Sequence, residues 1–520
     1  MPISGEPLKA PVMLRDLLSS GLETAPDAEA LVSADERWSW RELEQASERL
    51  AANLLGIGLH AGDRVASLMP NCSALVIHYL ACIKAGLVAT PLNYRYMAPE
   101  IDHALALSGA SVLLTHVERE ADVAASDHAV RLPLGLIRYK ADDDTGLTFA
   151  TLIEREPPGR ELPDPSPEAP GFIFFTSGST GKAKGVTHSF ETIGWQAASV
   201  APALEYAPGD SYLAGSSISH IGGFGFVIGS LAAGIRVIIP KGYEDAADLL
   251  SLIRTERPTV VWMLPAAAIR LVRESGARPQ DLSSIRLFGS GGDKVPAELE
   301  REFTELTGIP IDETWGMTEV GHATISPPSD EVRLGSVGRP YHGFTASIRD
   351  EQGNELPVGS QGRLWIKTPC AMIGYWRDPE ATAAAFNEGW LDTGDEMRAD
   401  EDGYLWFCGR KKQIIVHDGS NISPQDVEGA LLEHPTVTGA GVIGVHDPLH
   451  GEDVRAYVTL REDTEPPSAG ELLGFARKRV GYKAPEEIVV LEEMPLTPVG
   501  KMDRTALKRI AKARLVRDHL

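Results

Sequence analysis

Residues 171–185 read Gly-Phe-Ile-Phe-Phe-Thr-Ser-Gly-Ser-Thr-Gly-Lys-Ala-Lys-Gly, a hydrophobic run followed by a loop of small, hydroxylated and basic residues. The run predicts a buried strand. In the loop, glycines permit positive φ angles that turn backbone N–H groups toward an anion, hydroxyls add donors, and lysines neutralise charge. The stretch predicts a phosphate-binding loop at the end of a strand. Read by itself, it also fits a flexible surface turn of small residues.

The loop does not fit the Walker pattern. That pattern requires GxxxxGK followed by Ser or Thr, because each of these positions contacts phosphate or magnesium. Here Thr176 stands where the first glycine belongs, and Ala183 follows Lys182. The spacing therefore excludes this class of phosphate loop.

The sequence on both sides of the loop alternates between strand-like and helix-like segments. A capping box, Ser39-Trp-Arg-Glu42, opens a helix whose apolar residues recur at helical spacing. Strand, helix and strand are then predicted at 64–69, 74–83 and 86–91, and again at 260–264, 266–274 and 285–288. This alternation predicts an α/β fold in which helices cover a parallel sheet.

The composition or the predicted secondary structure of the chain changes at three places. Residues 156–170 are rich in proline and predict a stiff connector into the strand at 171–175. From about residue 336, short alternating strands indicate a β-rich subdomain. Near residue 410 the composition shifts again: residues 411–520 carry a net charge of −2 and residues 1–410 carry −22. We therefore predict a large domain at 1–410 and a small α+β domain at 411–520.

Composition narrows the functional classes. The chain has 520 residues, 49 Lys and Arg against 73 Asp and Glu, and a net charge of −24. This acidity repels nucleic-acid backbones and anionic lipid surfaces, so we expect neither as a partner. Hydrophobic residues make up 43% of the chain, enough for large buried cores. The sequence leaves open whether the protein is a monomer or a homodimer.

Cysteine spacing and hydropathy predict a cytoplasmic location. Cys72, Cys82, Cys370 and Cys408 form no CxxC pair, so neither a disulfide framework nor a zinc site is expected. The N-terminus lacks the apolar core of a signal peptide. Residues 211–235 carry no charge but contain many glycines and serines, and so predict a buried strand, loop and core helix instead of a membrane span.

Several further motifs, together with the phosphate loop, resemble the adenylate-forming superfamily of acyl-CoA synthetases, adenylation domains and luciferases. Its phosphate loop reads roughly TSGSTGxPKG, and Ala183 replaces the proline here. The other segments, in the family's order and spacing, are Ser219-His-Ile-Gly-Gly223, Ser290-Gly-Gly292, Thr314-Trp-Gly-Met-Thr-Glu319, Trp390-Leu-Asp-Thr-Gly-Asp395, Gly409-Arg-Lys-Lys412 and Pro495-Leu-Thr-Pro-Val-Gly-Lys501. The resemblance covers nearly the whole chain.

The resemblance implies ATP, Mg²⁺ and a carboxylic acid as ligands, and it assigns residues to each. Glu319 would bind Mg²⁺, Thr318 would contact the α-phosphate, Trp315 would stack on adenine, Asp395 and Arg410 would bind ribose, and Lys501 would act in catalysis. The remaining nucleotide-binding positions are Thr176, Ser177, Gly178, Ser179, Thr180, Gly181, Lys182, Lys184, Ser290, Gly291, Gly292, Thr314, Gly316 and Met317.

The resemblance also implies a small domain that rotates at Lys412 between two reaction steps. The second step would transfer the acyl group to CoA, with Gly419 near the pantetheine. Asp418 departs from the family's SGGEN pattern in the segment His417-Asp-Gly-Ser-Asn421. Because amide synthetases and loaders of a separate carrier protein share the adenylation segments, both remain alternatives, as does a nucleotide-binding protein without catalysis.

The acid pocket is predicted around His220, Gly222, Gly223 and Phe224. In the family His220 would gate this pocket, although a lone histidine in an apolar run is usually a core residue. Relatives that activate amino acids place an aspartate near this position, whereas residues 211–235 contain no carboxylate. The glycines make the wall roomy and apolar, which favours a fatty or aromatic acid.

Overall fold

The computed structural model of the chain describes residues 2–33, 36–141, 146–157, 159, 161–176, 183–242, 245–326, 328–410, 413, 415–417, 420–447, 451–461, 466–497 and 501–518. The α-helices within these ranges are α1 Ser19–Thr24, α2 Trp40–Gly56, α3 Ser73–Lys84, α4 Ala98–Ser108, α5 Glu120–Ala124, α6 Phe149–Glu154, α7 Phe190–Ala203, α8 Ile221–Ala232, α9 Ala246–Glu256, α10 Pro265–Arg273, α11 Ala297–Thr307, α12 Pro379–Ala385, α13 Pro424–Leu432, α14 Ala469–Val480 and α15 Arg504–Asp518.

The strands of the large domain are β1 Ile3–Ser4, β2 Glu29–Ser33, β3 Glu36–Ser39, β4 Arg64–Leu68, β5 Val88–Pro91, β6 Val112–His116, β7 Leu136–Tyr139, β8 Leu147–Thr148, β9 Pro170–Thr176, β10 Lys184–Ser189, β11 Ser211–Gly215, β12 Arg236–Ile239, β13 Val260–Met263, β14 Leu287–Gly291, β15 Ile311–Met317, β16 Gly321–Ile325, β17 Arg339–Pro340, β18 Thr345–Arg349, β19 Gln361–Lys367, β20 Gly374–Tyr375, β21 Phe386–Asn387, β22 Trp390–Ala399 and β23 Leu405–Arg410. Those of the small domain are β24 Ile415–His417, β25 Ser420–Ile422, β26 Val437–Asp447, β27 Gly451–Leu460 and β28 Glu487–Val490.

Two sheets with parallel centres form the body of the large domain. One has the strand order β17-β16-β15-β14-β13-β11-β12-β2-β3 and the other β20-β10-β9-β5-β4-β6-β7-β8. Their central strands are buried and rich in aliphatic residues, which is expected when helices cover both faces of a parallel sheet. The α/β architecture predicted from the alternating segments is confirmed.

The local sequence patterns predict the start of α2 correctly, but they predict the bounds of β14 only in part. The Ser39 hydroxyl accepts from the Glu42 N–H and the Glu42 carboxylate accepts from the Ser39 N–H, so the predicted capping box begins α2. The strand expected at 285–288 is displaced to Leu287–Gly291. Its later residues pair with the following parallel strand, Ser290 opposite Glu313 and Gly291 opposite Thr314. The Ser290–Gly292 motif therefore begins inside a strand.

A third sheet forms the predicted β-rich subdomain. Its order is β1-β18-β19-β22-β21, with β23 added beside β22. The strand nearest the N-terminus joins it at the edge, where Ile3 lies opposite Ala346 and the Ser4 hydroxyl contacts that of Thr345, 341 positions away.

The small domain has its own sheet and core. The strand order is β25-β24-β27-β26, with β28 parallel to β27, and α13 and α14 cover a cluster that includes Val442, Val454 and Leu472. The small domain contacts the large one at Arg273 of α10, whose guanidinium donates to the carbonyl of Val437 at 3.2 Å. No helix in the described ranges is both long and apolar enough to cross a membrane.

Candidate active site

The residues predicted to bind adenine lie at the carboxyl ends of the neighbouring strands β14 and β15. In an open α/β sheet this edge is where ligands bind. Thr314 lies beside Gly291 across the parallel pair β14–β15, and its hydroxyl accepts from the Trp262 indole at 3.1 Å. Immediately after β14, Gly292 has a φ of +83°, a conformation that favours glycine. The segments predicted to bind adenine are therefore adjacent in space.

The phosphate loop joins two antiparallel strands. Thr176 ends β9, Lys184 begins β10, and the two residues are paired across the strands. The loop therefore leaves and re-enters the sheet at one point. Residues Ser177, Gly178, Ser179, Thr180, Gly181 and Lys182 lie outside the described residues, as do Lys412 and Gly419, so the roles predicted for them remain predictions.

Trp315 and Asp395 form a buried pair. The Trp315 indole N–H donates to Oδ2 of Asp395 at 2.9 Å, and the side chains are 7% and 1% exposed. The sequence predicted an adenine-stacking ring and a ribose-binding carboxylate as separate groups. The structure joins them, so the orientation of one depends on the other. Asp395 also lies opposite Arg410 across β22 and β23.

The loop between β15 and β16 is held from two sides. His188 Nε2 donates to the carbonyl of Thr318 at 2.8 Å, while the amide of Met372 donates to the carbonyl of Glu319 at 2.7 Å. The Tyr375 hydroxyl donates to the Glu319 carboxylate at 2.7 Å. Burial lowers the pKa of His188 to about 4, so this ring stays neutral and keeps one N–H for the contact.

His220 lies at the start of α8 and is neutral. The Asn93 side-chain amide donates to its Nε2 at 2.8 Å, which fixes Nε2 as the acceptor nitrogen. Burial, together with the charge of Lys501, lowers the pKa of His220 to about 4. Sequence reasoning missed Asn93, although this residue closely follows the carboxyl end of the predicted strand at 86–91.

The glycines after His220 serve different purposes. A Cβ at Gly222 would lie 3.8 Å from His322, so this position faces space beside that ring. At Gly223 a Cβ would lie 2.3 Å from the Ser217 carbonyl oxygen, so this glycine allows close packing of helix and loop. Phe224 packs against Phe172 at 4.6 Å between centroids, within the aromatic core. Of the three predicted wall residues, Gly222 is therefore the one at which an added Cβ would make only ordinary van der Waals contacts, with the His322 ring.

His322 completes this side of the pocket. Its Nε2 donates to the carbonyl of Gly222 at 2.7 Å, and its ring lies 3.7 Å from that of Phe226 between centroids. Burial lowers the pKa of His322 to about 4. Sequence reasoning missed His322, because its position against Gly222 depends on the packing of β16 on α8.

Lys501 extends from the small domain to the large one. Its turn closes with the Thr497 N–H donating to the Lys501 carbonyl at 2.6 Å. A Cβ placed on Gly292 would lie 3.7 Å from Cε of Lys501. Its charge also contributes, after burial, to the low pKa of His220. The lysine is therefore close to Gly292 and within electrostatic range of His220.

A family model described as AMP-binding enzyme matches residues 19–376, and one described as AMP-binding enzyme C-terminal domain matches residues 426–501. The chain belongs to the AMP-binding enzyme family. Among curated members, a feruloyl-CoA synthase from Amycolatopsis sp is 33% identical over 93% of this chain and 96% of its own.

Solved structures of family members share the architecture. An anthranilate CoA ligase in complex with anthranoyl-AMP is 27% identical, with a TM-score of 0.89, and the match covers 98% of this chain and 99% of that one. An amide bond synthetase from Marinactinospora thermotolerans is 27% identical, with a TM-score of 0.83, covering 96% and 99%.

Proposed function

We propose that the protein activates a carboxylic acid with ATP, forms an acyl-adenylate with release of pyrophosphate, and transfers the acyl group to CoA to give acyl-CoA and AMP. The observation that carries this proposal is the position of Lys501 against Gly292 and near His220. A cation there lies where an acid from the pocket and the α-phosphate of a nucleotide on the sheet edge would meet.

In the first step an oxygen of the substrate carboxylate attacks the α-phosphorus, and the bond from that phosphorus to the bridging oxygen of pyrophosphate breaks. Both reactants are anions, so positive charge placed in advance lowers the barrier. Lys501 supplies such charge between them, while Lys184 and the loop after Thr176 bind the departing phosphates. The two carbonyl contacts from His188 and Met372 fix the backbone from which Thr318 reaches the α-phosphate.

The residues at Glu319 fit a magnesium ion. The residue is 8% exposed and its carboxylate accepts a hydrogen bond from Tyr375. Mg²⁺ in nucleotide sites prefers one or two carboxylates together with phosphate oxygens and water. Bound there, the ion would neutralise phosphate charge. Glu319 is the residue that we propose as its protein ligand.

The acid would enter beside His220, Gly222 and His322. Because both histidines are neutral at physiological pH, this wall has no fixed charge and suits an uncharged fatty or aromatic side chain. The feruloyl-CoA and anthranilate ligases support an aromatic acid, since the names of both specify one.

For the second step we propose that residues 411–520 rotate about Lys412 and withdraw Lys501. The CoA thiol then releases its proton to solvent and its sulfur attacks the acyl carbonyl, a thioester forms, and the bond from the acyl carbon to the phosphate oxygen of AMP breaks. Gly419 would lie near the pantetheine. A two-step ligase needs this motion because the lysine that assists the first step occupies space beside the acyl-adenylate.

A cytoplasmic location fits this chemistry. Cys72, Cys82, Cys370 and Cys408 are free cysteines, which is compatible with a reducing compartment.

The test is acid-dependent exchange of pyrophosphate into ATP across a panel of fatty and aromatic acids, followed by detection of acyl-CoA and AMP when CoA is added. We expect exchange with at least one aromatic acid and stoichiometric acyl-CoA and AMP. If no acid in a broad panel supports exchange, the proposed adenylation does not occur.

The similarity to an amide bond synthetase supports a second candidate, in which an amine takes the place of CoA. The two candidates share the first step and differ only in the acceptor. Mass analysis of products with CoA, with amines and with a carrier protein separates them: exchange without acyl-CoA, but with amide, would favour the second candidate.

A further inference from the structure

Tyr375 contacts two site residues of opposite charge. Its hydroxyl donates to Oε1 of Glu319 at 2.7 Å, and Nζ of Lys184 lies over its ring, 4.7 Å from the centroid. Glu319 is the carboxylate proposed for the cation, and Lys184 begins β10 at the end of the phosphate loop. One side chain therefore links the cation site with the phosphate site.

The backbone of Tyr375 is fixed by its surroundings. The residue forms β20 with Gly374 and pairs with Val186 of β10, two residues beyond Lys184. Its N–H donates to the Thr382 hydroxyl at 2.9 Å, and the next residue, Trp376, donates to the carbonyl of Gly185 at 2.7 Å. These contacts leave the side chain little freedom to turn away from Glu319.

The chemistry of a tyrosine suits both contacts. A phenol that donates to a carboxylate occupies one of about four acceptor positions on the two oxygens, and so restrains the group while leaving positions for a cation. The negative face of the ring attracts an ammonium group. A phenylalanine here would keep the second contact and lose the first.

We propose that Tyr375 is a positioning residue that orients the Glu319 carboxylate toward the divalent cation of MgATP. The inference rests on the proposed function, because it assigns that cation to Glu319. It predicts that the Tyr375 hydroxyl contributes to binding of the metal–nucleotide complex and contributes nothing to binding of ATP without metal.

The chain contains a matched control. The Tyr94 hydroxyl donates to Oε2 of Glu118 at 2.7 Å, and the guanidinium of Arg119 lies over the Tyr94 ring at 5.5 Å. The same three types of group are therefore present where we propose no cation site. Tyr94→Phe removes the same hydroxyl–carboxylate bond and controls for its effect on folding.

The experiment compares wild type, Tyr375→Phe and Tyr94→Phe by calorimetric titration with MgATP, and with ATP in EDTA. We expect Tyr375→Phe to weaken MgATP binding about tenfold, as for one hydrogen bond to a charged group, and to leave metal-free ATP binding unchanged. Tyr94→Phe should match wild type in both titrations. Circular dichroism and the melting temperature establish that each variant is folded.

A double-mutant cycle with Glu319→Gln isolates the pair. If Tyr375 acts through that carboxylate, Tyr375→Phe should have no further effect on MgATP binding once Glu319→Gln is present. Tyr375→His keeps a ring N–H donor and should retain more MgATP affinity than Tyr375→Phe. If Tyr375→Phe does not fold, the MgATP affinity of Tyr375→His is compared with that of wild type instead.

Equal MgATP affinities for Tyr375→Phe and wild type would overturn the inference, as would an equal loss with and without metal. Failure of the proposed function gives a different result. In that case wild type shows no acid-dependent exchange, while the calorimetric comparison of the variants still reports whether the hydroxyl acts on the metal–nucleotide complex.

Discussion

The nucleotide side of the site and the Lys501 turn are built differently. On the large domain, Thr318, Glu319, Trp315 and Asp395 are held by hydrogen bonds whose partners are buried or partly buried. Lys501 is an exposed residue in a turn that the Thr497 backbone closes. Both regions meet at Gly292, but only one of them is fixed by the core.

This difference in burial matches the number of proposed reaction steps in which each group takes part. Nucleotide-binding groups are used in both proposed steps, so rigidity costs nothing in the second step. A lysine that assists only the first must be able to leave. Lys501 is exposed, whereas Asp395 is 1% exposed and accepts a hydrogen bond from the buried Trp315 indole.

The largest predicted effect concerns Lys501, on the small domain. Lys501→Ala should reduce acid-dependent pyrophosphate exchange about 10²–10³-fold, because it removes a charge needed in the transition state. Acyl transfer from a supplied acyl-adenylate to CoA should change little. Rapid-quench measurement of the two half-reactions checks this, with the exposed Lys508→Ala as control. An equal loss in both would contradict the assignment of Lys501 to one step.

The next effect concerns the fixed side. Trp315→Phe keeps a flat ring but removes the indole donor to Asp395, so we expect the KM for ATP to rise about tenfold. Unlike the lysine variant, it should impair both half-reactions, because AMP stays bound through the second. Steady-state kinetics of each half-reaction tests this. A variant with unchanged KM for ATP would show that the pair plays no part in binding.

A smaller effect is expected at the contact between the domains. Arg273→Gln removes the guanidinium donor to the Val437 carbonyl. We expect the first half-reaction to slow a few-fold, which corresponds to the net free energy of about one hydrogen bond to a neutral acceptor. Glu302→Gln is the control, because Glu302 contacts the same guanidinium at 2.7 Å but lies in the large domain. If both variants slow the reaction equally, the contact between domains is not the cause.

The smallest effect is on the stability of the large domain. Burial, reinforced by the nearby charge of Glu313, raises the pKa of Glu300 from 4.5 to about 8. Between these values the folded state binds more protons than the unfolded state, so stability falls as the pH rises through this range. Glu300→Gln should therefore lose about a few degrees less in melting temperature between pH 5 and 8 than wild type. An identical fall in both proteins would assign the pH dependence to other groups.

Much of the architecture could be read from local pattern. The capping box at Ser39 and the alternation at 64–91 and 260–291 reflect the physics of neighbouring residues, so a single sequence contains the signal. The displaced strand at Leu287–Gly291 shows the limit. Its extent is set by pairing with residues 311–314, and pairing between distant segments is not visible in local hydropathy.

The candidate site was predicted in part for the same reason. Motif resemblance identified Glu319, Asp395 and Lys501, but not the groups that hold them. Tyr375 reaches Glu319 from a segment 56 positions further along the chain, and Asn93 reaches His220 across 127 positions. Phe224 was expected in the pocket because of its neighbours. The helix turns it into the aromatic core, since residues adjacent in a helix do not share a face.

The pairing of β1 with β18 constrains when the β-rich sheet can assemble during synthesis. The partner of Ser4, Thr345 in β18, lies 341 positions later. At about 5–20 residues per second the ribosome needs roughly 20–70 s to reach it. β1 therefore leaves the ribosome well before β18, and the two strands can pair only after most of the large domain has been made. When β18 emerges, every strand of the nine-stranded sheet has been synthesised, but β20 of the eight-stranded sheet has not.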